Sequence, residues 1–538
     1  MDKTKKYNGI KLAGLILLLV ACALEWILAY RLSAGGAYGK DGMTGAAMVI
    51  FGLLVTAEII AYLVLTSNRL YEKITLPKVY LICGLVIGIA FTILMPIGVV
   101  PDEMAHIRNS YDMSNVLMGQ GSGKKSSLSM RREDYETPSI DIEWNHKNSA
   151  MYYDNLLAMV KDDEMVVTGL DTGFSPDHVY LVPALGITLG RLCHFGTRLT
   201  YLLGRIFCVI GYVLVVYLSL CLLPFGKGLV FVWSFLPMMM QQVNSYSYDR
   251  QVISISLLIL SLVLNLLYGE EKEIPEGTGK MKRFLMSRKA RVILLVAACL
   301  FLLPIKQGAL VPICLFPMVF FGRWYKEKRK SFSKKTLLLI RISVCAGLCI
   351  VLTAALLYLK ICMRPERAYA GWVSWANEPG YTIGYLLLHP RRLFALLYNT
   401  ALSADAYIFG LLGDNLSWHT KSMPSFLLLP FLVMMVIAAF RREDENTVPE
   451  KGVKVWIWLM SALVVAFTFG GMLLHWTPLS YKTIEGVQGR YFLPLVVPVL
   501  LMCRTKQACI GKHAERVMAM IAVLLQMPIM MYLYMQVV

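Results

Sequence analysis

Long apolar runs separated by short polar ones repeat along almost the whole chain. Many approach 20 residues, the length an α-helix needs to cross a hydrocarbon core of about 30 Å. The pattern predicts thirteen spans, at 11–30, 44–66, 78–98, 199–222, 228–242, 250–268, 292–304, 307–321, 337–360, 424–440, 455–475, 491–503 and 516–535. The expected fold class is therefore an all-α integral membrane protein. The pair at 292–304 and 307–321 is short, and reading it as one span would invert everything downstream.

Charge favours the two-span reading. The short loops 269–291, 322–336 and 504–516 are rich in Lys and Arg, as is the N-terminal MDKTKK. The positive-inside rule puts all of them in the cytoplasm, which thirteen spans satisfy with the N-terminus inside. The net charge of +18 is then an orientation signal and an attraction to anionic membrane lipids. The basic residues are scattered over loops rather than gathered in a folded basic domain, which argues against nucleic acid as a partner. The first apolar run is too long for a signal peptide, holds Glu25 and lacks a small-x-small cleavage site, so it is read as an anchor that stays. The cysteines lie almost all in or beside spans, and none falls in 99–177, so no disulfide framework or cysteine zinc site is expected.

Two sizeable segments interrupt the spans, both expected on the outer face. The first, 99–180, holds 14 of the 35 acidic residues against seven Lys and Arg. Within it, MYYDNLLAMVKDDEM suggests a short surface helix. The second, 361–423, carries an apolar stretch broken by Pro390, read as helices lying at the interface. The run 179–196 has the length of an interfacial or re-entrant helix. No ATP-binding motif is present; GQGSGKKSS lacks the spacing of a phosphate loop.

Four polar clusters sit at predicted outer ends of spans. The first is Pro101-Asp102-Glu103-x-x-His106, with Arg108 close behind. Asp102 and His106, four apart, share a helical face, while Glu103 points about 100° away. One acid could serve as a general base, with His106 or Arg108 tuning it; dipole-matched capping is the plain alternative. The second is QQVNSYSYDRQ at 241–251, where Asp249 is a further acid and a hydrated hairpin with an Asp249–Arg250 surface pair is the alternative. The third is Lys306, alone in a long apolar stretch, where a cation is costly unless it snorkels or meets an anion. The fourth is EGVQGRYFLP, in which two glycines allow unusual dihedrals or close backbone approach, and Arg490 follows Gln488 at the start of a span. A guanidinium there suits a phosphate, with headgroup anchoring as the alternative. Acids and phosphate-binding cations at one interface suit a lipid-phosphate substrate. Asp102, Glu103 and Asp249 are also candidate ligands for a divalent metal such as Mg or Mn, though the spacing makes no defined metal motif.

With those residues in hand, the chain resembles a large, mostly uncharacterised family of bacterial polytopic membrane proteins. That family is related to the GT-C glycosyltransferase superfamily. The likeness rests chiefly on PDEMAH and GVQGRYFLP, with VYLVPALGITLGRL, NSYSYDRQ, PIKQG and LLLHPRRLFALLYNT in the same order, over roughly 78–505. It implies a GT-C-like core at 78–505, an additional hairpin at 1–77 and a closing helix at 506–538. It also implies a catalytic acid at Asp102 or Glu103, a lipid-phosphate-linked sugar donor, a glycan or lipid acceptor, and transfer at the outer face of a bacterial plasma membrane. Lys306 and Arg490 would hold the donor phosphate, with His106, Arg108, Asp249 and Gln488 in support. Weighed beside this enzyme are a flippase for a lipid-linked glycan and a non-catalytic partner in wall-polymer assembly. A metal-dependent hydrolase fits less well, because one His and two acids do not make a two-His zinc helix.

Overall fold

The computed structural model describes residues 3–35, 40–121, 127–137, 143–173, 177–270, 287–328 and 371–537, with isolated helical positions at 353, 357 and 360. Among the described residues, seven helices have the length and composition to cross a membrane: Lys11–Ser33, Gly42–Thr66, Leu76–Leu94, Thr197–Leu222, Asp249–Tyr268, Lys451–His475 and Ala514–Met535. Each coincides with an expected span.

The expected count of thirteen is not reached among these residues. The span expected at 228–242 is two short helices, Lys227–Ser234 and Pro237–Val243. Pro237 has no N–H to continue the first helix, and Leu236 before it is held extended. The span expected at 292–304 is a 15-residue helix, Arg288–Leu302. The one expected at 307–321 is broken into turns at Ile305–Gly308, Val311–Cys314 and Phe316–Met318, punctuated by Pro312 and Pro317, before Val319–Lys328. Helices Ser425–Ala439 and Gly489–Leu501 are apolar but short. The run 337–360 lies outside the described residues, its three isolated positions apart. In the segment 361–423, Pro390 separates Ile383–Leu388 from Pro390–Leu402 as expected, and Pro390–Leu402 and Ala404–Leu412, bent by 46°, are together long and apolar enough for a broken span or a re-entrant loop.

The chain forms two compact units. The first comprises Met1–Ile305, Leu412–Val448 and Val496–Val538; the second comprises Lys306–Leu411 and Pro449–Leu495.

In the first unit, Thr197–Leu222 packs against Leu76–Leu94, Asp249–Tyr268 and the helix Leu181–Leu192. Leu181–Leu192 is the element expected at 179–196. Its Gly186 and Gly190 let it close on Thr197–Leu222: a Cβ on Gly186 would lie 2.5 Å from the Leu203 carbonyl oxygen, and one on Gly190 2.8 Å from Thr200 Cα. The short helix His146–Asp154 replaces the expected surface helix and buries Tyr152 and Tyr153. Phe225, just past the end of Thr197–Leu222, carries the Arg504 guanidinium 4.7 Å from its ring centre. There Arg504 bonds Glu445 at 2.7 Å and Arg442 bonds the buried Glu515 at 2.7 Å. Arg205, toward the other end of Thr197–Leu222 and roughly 25 Å from Leu222, meets the acidic cluster described below.

Among the described residues of the second unit, Lys451–His475 is the longest helix. Near its start, Trp456 Nε1 donates to the Leu315 carbonyl at 2.9 Å and Glu450 lies 3.9 Å from Arg323. Past its end, a short hairpin pairs Trp372–Val373 with Glu378–Pro379, and Gly380 bridges to Pro478. Tyr381, Leu386, Leu396, Leu473 and Ile484 form the core beneath this hairpin.

Candidate functional site

The acidic cluster grows from an elbow after Leu76–Leu94. The helix ends at Met95, Gly98 turns the chain with φ +94°, and Pro101 and Asp102 lead into the helix Glu103–Leu117. Asp102 is the cap of that helix in the left-handed conformation, φ 62° and ψ 6°. Outside glycine this region is sparsely used, with Asp and Asn the usual exceptions. The Asp102 carboxylate makes no capping bond and the residue is exposed.

Glu103 points the other way, as helical geometry requires, and its carboxylate is wholly buried. Oε1 accepts from Arg205 Nε at 2.7 Å and from the Tyr246 amide at 3.3 Å. Oε2 accepts from Arg205 Nη2 at 2.5 Å and from the Gly98 amide at 2.8 Å. Arg205 also donates to the Met95 and Pro96 carbonyls, the latter at 3.0 Å. Two charges out of water are tolerable only when paired and fully hydrogen-bonded, and both conditions hold. This geometry makes Glu103 the tie between the elbow and Thr197–Leu222. Its acceptor positions are committed to four donors.

His106 is half-buried one turn on. Its Nδ1 lies 3.0 Å from the Tyr180 hydroxyl, and the Tyr248 ring meets it edge-on at 5.3 Å. Burial pushes the imidazole below its ordinary pKa, with Asp249 and Asp102 pulling part of the way back. Arg108 is half-buried on the same helix. Asp249 is buried at the first turn of Asp249–Tyr268, its amide donating to Ser247 Oγ at 3.2 Å. The 241–251 segment is not the hydrated hairpin with a surface pair. Asn244 and Ser245 are fully buried, and the buried Arg250 donates Nη1 to the Ser245 and Ser247 carbonyls at 2.8 Å each. The elbow is further braced by Ser417, whose Oγ donates to the Val99 carbonyl at 2.8 Å and whose amide donates to Gln241 Oε1 at 2.6 Å. Among the described residues no group of three His, Cys, Asp or Glu is disposed to hold a metal ion, so Asp102, Glu103 and Asp249 do not form one.

The two cations meet in the second unit. Lys306 Nζ lies 4.6 Å from the Tyr491 ring centre and the Arg490 guanidinium 5.6 Å from it. Both glycines of the EGVQGR segment are used as expected. Gly486 has φ +80° and packs on the Trp476 ring; a Cβ on Gly489 would strike the Tyr407 carbonyl and the Leu411 amide. Gln488 is half-buried and extended at the entry to the tight turn Gly489–Phe492. The next aromatic, Phe492, stacks on Phe469 and meets Tyr407 edge-on. These three rings help line a cavity of about 390 Å³, with Leu397, Ile408 and Val465 also in its wall.

Asp102, Glu103, His106, Arg108 and Asp249 thus belong to one unit, and Lys306, Gln488 and Arg490 to the other. Two participants were missed in the sequence. Arg205 could have been found as a lone cation within the apolar run 199–222. Tyr491 sits at a span's edge, and nothing in its spacing points to the two cations.

Seven apolar helices and the absence of any sheet larger than two strands among the described residues define the class: a polytopic helical membrane protein. A family model described as "predicted membrane protein (DUF2142)" matches residues 85–499, and the chain belongs to that family. The match contains the elbow, Arg205, the 241–251 turn and the 484–492 segment. No curated protein and no solved structure matches the chain.

Proposed function

We propose that the protein is a membrane glycosyltransferase of GT-C type, taking a sugar from a polyprenyl-phosphate donor at the extracytoplasmic face of a bacterial plasma membrane. One observation carries the reading. Lys306 and Arg490 both lie against the Tyr491 ring, while the adjacent Phe492 lines an apolar cavity of about 390 Å³. Cations beside an apolar hollow are what a phosphate with a hydrocarbon tail requires.

The chemistry then falls to Asp102. The acceptor hydroxyl oxygen attacks the anomeric carbon, the bond from that carbon to the phosphate oxygen breaks, and polyprenyl phosphate departs with the bonding pair. The hydroxyl proton passes to the Asp102 carboxylate. Lys306 and Arg490 stabilise the charge that develops on the phosphate. Asp102 is exposed and uncapped, whereas Glu103 is engaged by Arg205, so Asp102 is the preferred base. His106 and Arg108 would tune it, with Asp249 behind His106. The N-terminus is cytoplasmic in this reading, so that Arg442, Arg504 and the other basic loops stay inside.

The test uses purified protein in lipid nanodiscs with radiolabelled polyprenyl-phosphate sugars and candidate acceptors. Release of polyprenyl phosphate by the wild type, lost in Asp102→Asn and weakened in Arg490→Ala, is the expected result. Movement of intact lipid-linked sugar across vesicles, with no release, would replace the enzyme by a flippase. Crosslinking cysteines placed at 102 and 490 checks that both reach the same membrane face, as the reaction demands.

A further inference from the structure

Beyond Lys451–His475 the second unit presents a group of aromatic rings that packing does not account for. Trp375 and Trp476 are each 47% exposed and Tyr481 is 37% exposed. The two indoles stack at 6.0 Å between centroids and 30° between planes, and Tyr481 meets Trp375 edge-on at 5.9 Å. Large exposed apolar groups gathered in one place mark an interaction site more often than chance.

These rings are held rigidly. Trp375 Nε1 donates to the Trp476 carbonyl at 3.0 Å. Gly486, at φ +80°, closes against the Trp476 ring so that no side chain would fit between them. Beneath Tyr481, the Arg392 guanidinium donates to the Tyr481 carbonyl at 2.8 Å and to the Leu479 carbonyl at 2.9 Å. The rim is polar: Ser480 Oγ donates to the Glu378 carboxylate, and Asn377 and Lys482 are exposed beside it.

Two features argue against a simple lipid anchor. An interface tryptophan uses its N–H toward headgroups and water, but that of Trp375 is spent on the main chain. The rings also stand on a two-residue hairpin and the irregular loop 476–488, and non-helical backbone does not face hydrocarbon. An aromatic face is negative and attracts the polarised C–H groups on one face of a sugar ring, while hydroxyls at the edge find the polar rim.

We propose that Trp375, Trp476 and Tyr481 form a docking platform for a glycan chain. As the seat of the acceptor it rests on the glycosyltransferase reading; as a sugar-binding site it does not.

The experiment is saturation-transfer difference NMR on the full-length protein in nanodiscs, with tetrameric chitooligosaccharide and maltotetraose as separate probes. Transfer from aromatic protons to one of them, weakened about tenfold in Trp375→Ala and Trp476→Ala but kept in Trp324→Ala, an exposed aromatic of the same unit outside the platform, is the expected result. Binding by wild type without any sugar transfer would remove the enzyme reading and leave the platform standing. Absence of binding by the wild type to either probe, or binding indifferent to both tryptophan changes, overturns the proposal. So does quenching of Trp375 and Trp476 fluorescence by brominated lipid, measured in variants retaining only those indoles, because it would place the rings in the bilayer.

Discussion

The Arg205 guanidinium meets the Glu103 carboxylate through two nearly parallel hydrogen bonds, Nε to Oε1 at 2.7 Å and Nη2 to Oε2 at 2.5 Å, with both side chains sealed from solvent. The pair fastens the turn carrying Asp102 to Thr197–Leu222. Arg205→Ala strands a buried carboxylate and is expected to cost about 3–5 kcal/mol. The double variant Arg205→Met with Glu103→Gln removes both charges and keeps one acceptor oxygen, for either the Gly98 or the Tyr246 amide, and is expected to lose less. Thermal unfolding in detergent compares the two; equal losses would contradict a charge-pairing origin.

Asp102 holds a backbone conformation that glycine adopts without penalty. Asp102→Gly is therefore expected to stabilise the protein by about 1 kcal/mol while abolishing transfer. Asp102→Asn should leave stability near wild type with the same loss of activity. Unfolding midpoints and turnover, measured on the same preparations, separate a chemical from a structural role.

Burial holds the half-buried His106 imidazole below its ordinary pKa. Between that depressed value and the unfolded value of about 6.5, the unfolded chain binds more protons, so stability rises with pH across that window. Acidification from neutral through the window should lower the unfolding midpoint. His106→Gln should flatten this dependence, read from midpoints at a series of pH values.

Lys306 and Arg490 share Tyr491 and are expected to act on the donor rather than the acceptor. Arg490→Ala should raise the donor KM by about tenfold or more, and Arg490→Lys should recover only part of it, because an ammonium cannot bind phosphate in a forked geometry. Acceptor KM should stay unchanged; kinetics with each substrate varied in turn decide it.

Gly489 lies against the backbone of Tyr407, Gly410 and Leu411, with a Cβ predicted to fall 2.7 Å from the Gly410 carbonyl carbon. Gly489→Ala should displace the 484–492 segment and cost roughly 1–3 kcal/mol. Gly452→Ala, where a Cβ meets open space, serves as the neutral control in the same unfolding assay.

The long spans were legible because 20 or more apolar residues in a row need no knowledge of neighbours. The breaks were not. Pro237, Pro312 and Pro317 lie in runs whose hydropathy alone reads as continuous, and the 46° bend between Pro390–Leu402 and Ala404–Leu412 leaves no mark in composition. The carboxylates of the elbow were visible as a cluster, but their division of labour was not. Asp102 and Glu103 differ by one helical step, and what separates them is Arg205, 102 positions beyond Glu103. Gly486 and Gly489 were readable because glycine advertises its own purpose. Tyr491 was not, since an aromatic at a span's edge fits a dozen roles.

Ser417 and the carbonyl of Val99 are separated by 318 positions in the chain. A ribosome makes the acidic turn early and its brace only after Thr197–Leu222 and Asp249–Tyr268 have been made. Contacts of such long range close late and slowly. A nascent chain halted before Ser417 would insert its early helices with the turn held by Arg205 but not yet braced at Val99. The elbow that carries Asp102 thus receives its last brace only once about three quarters of the chain has been made.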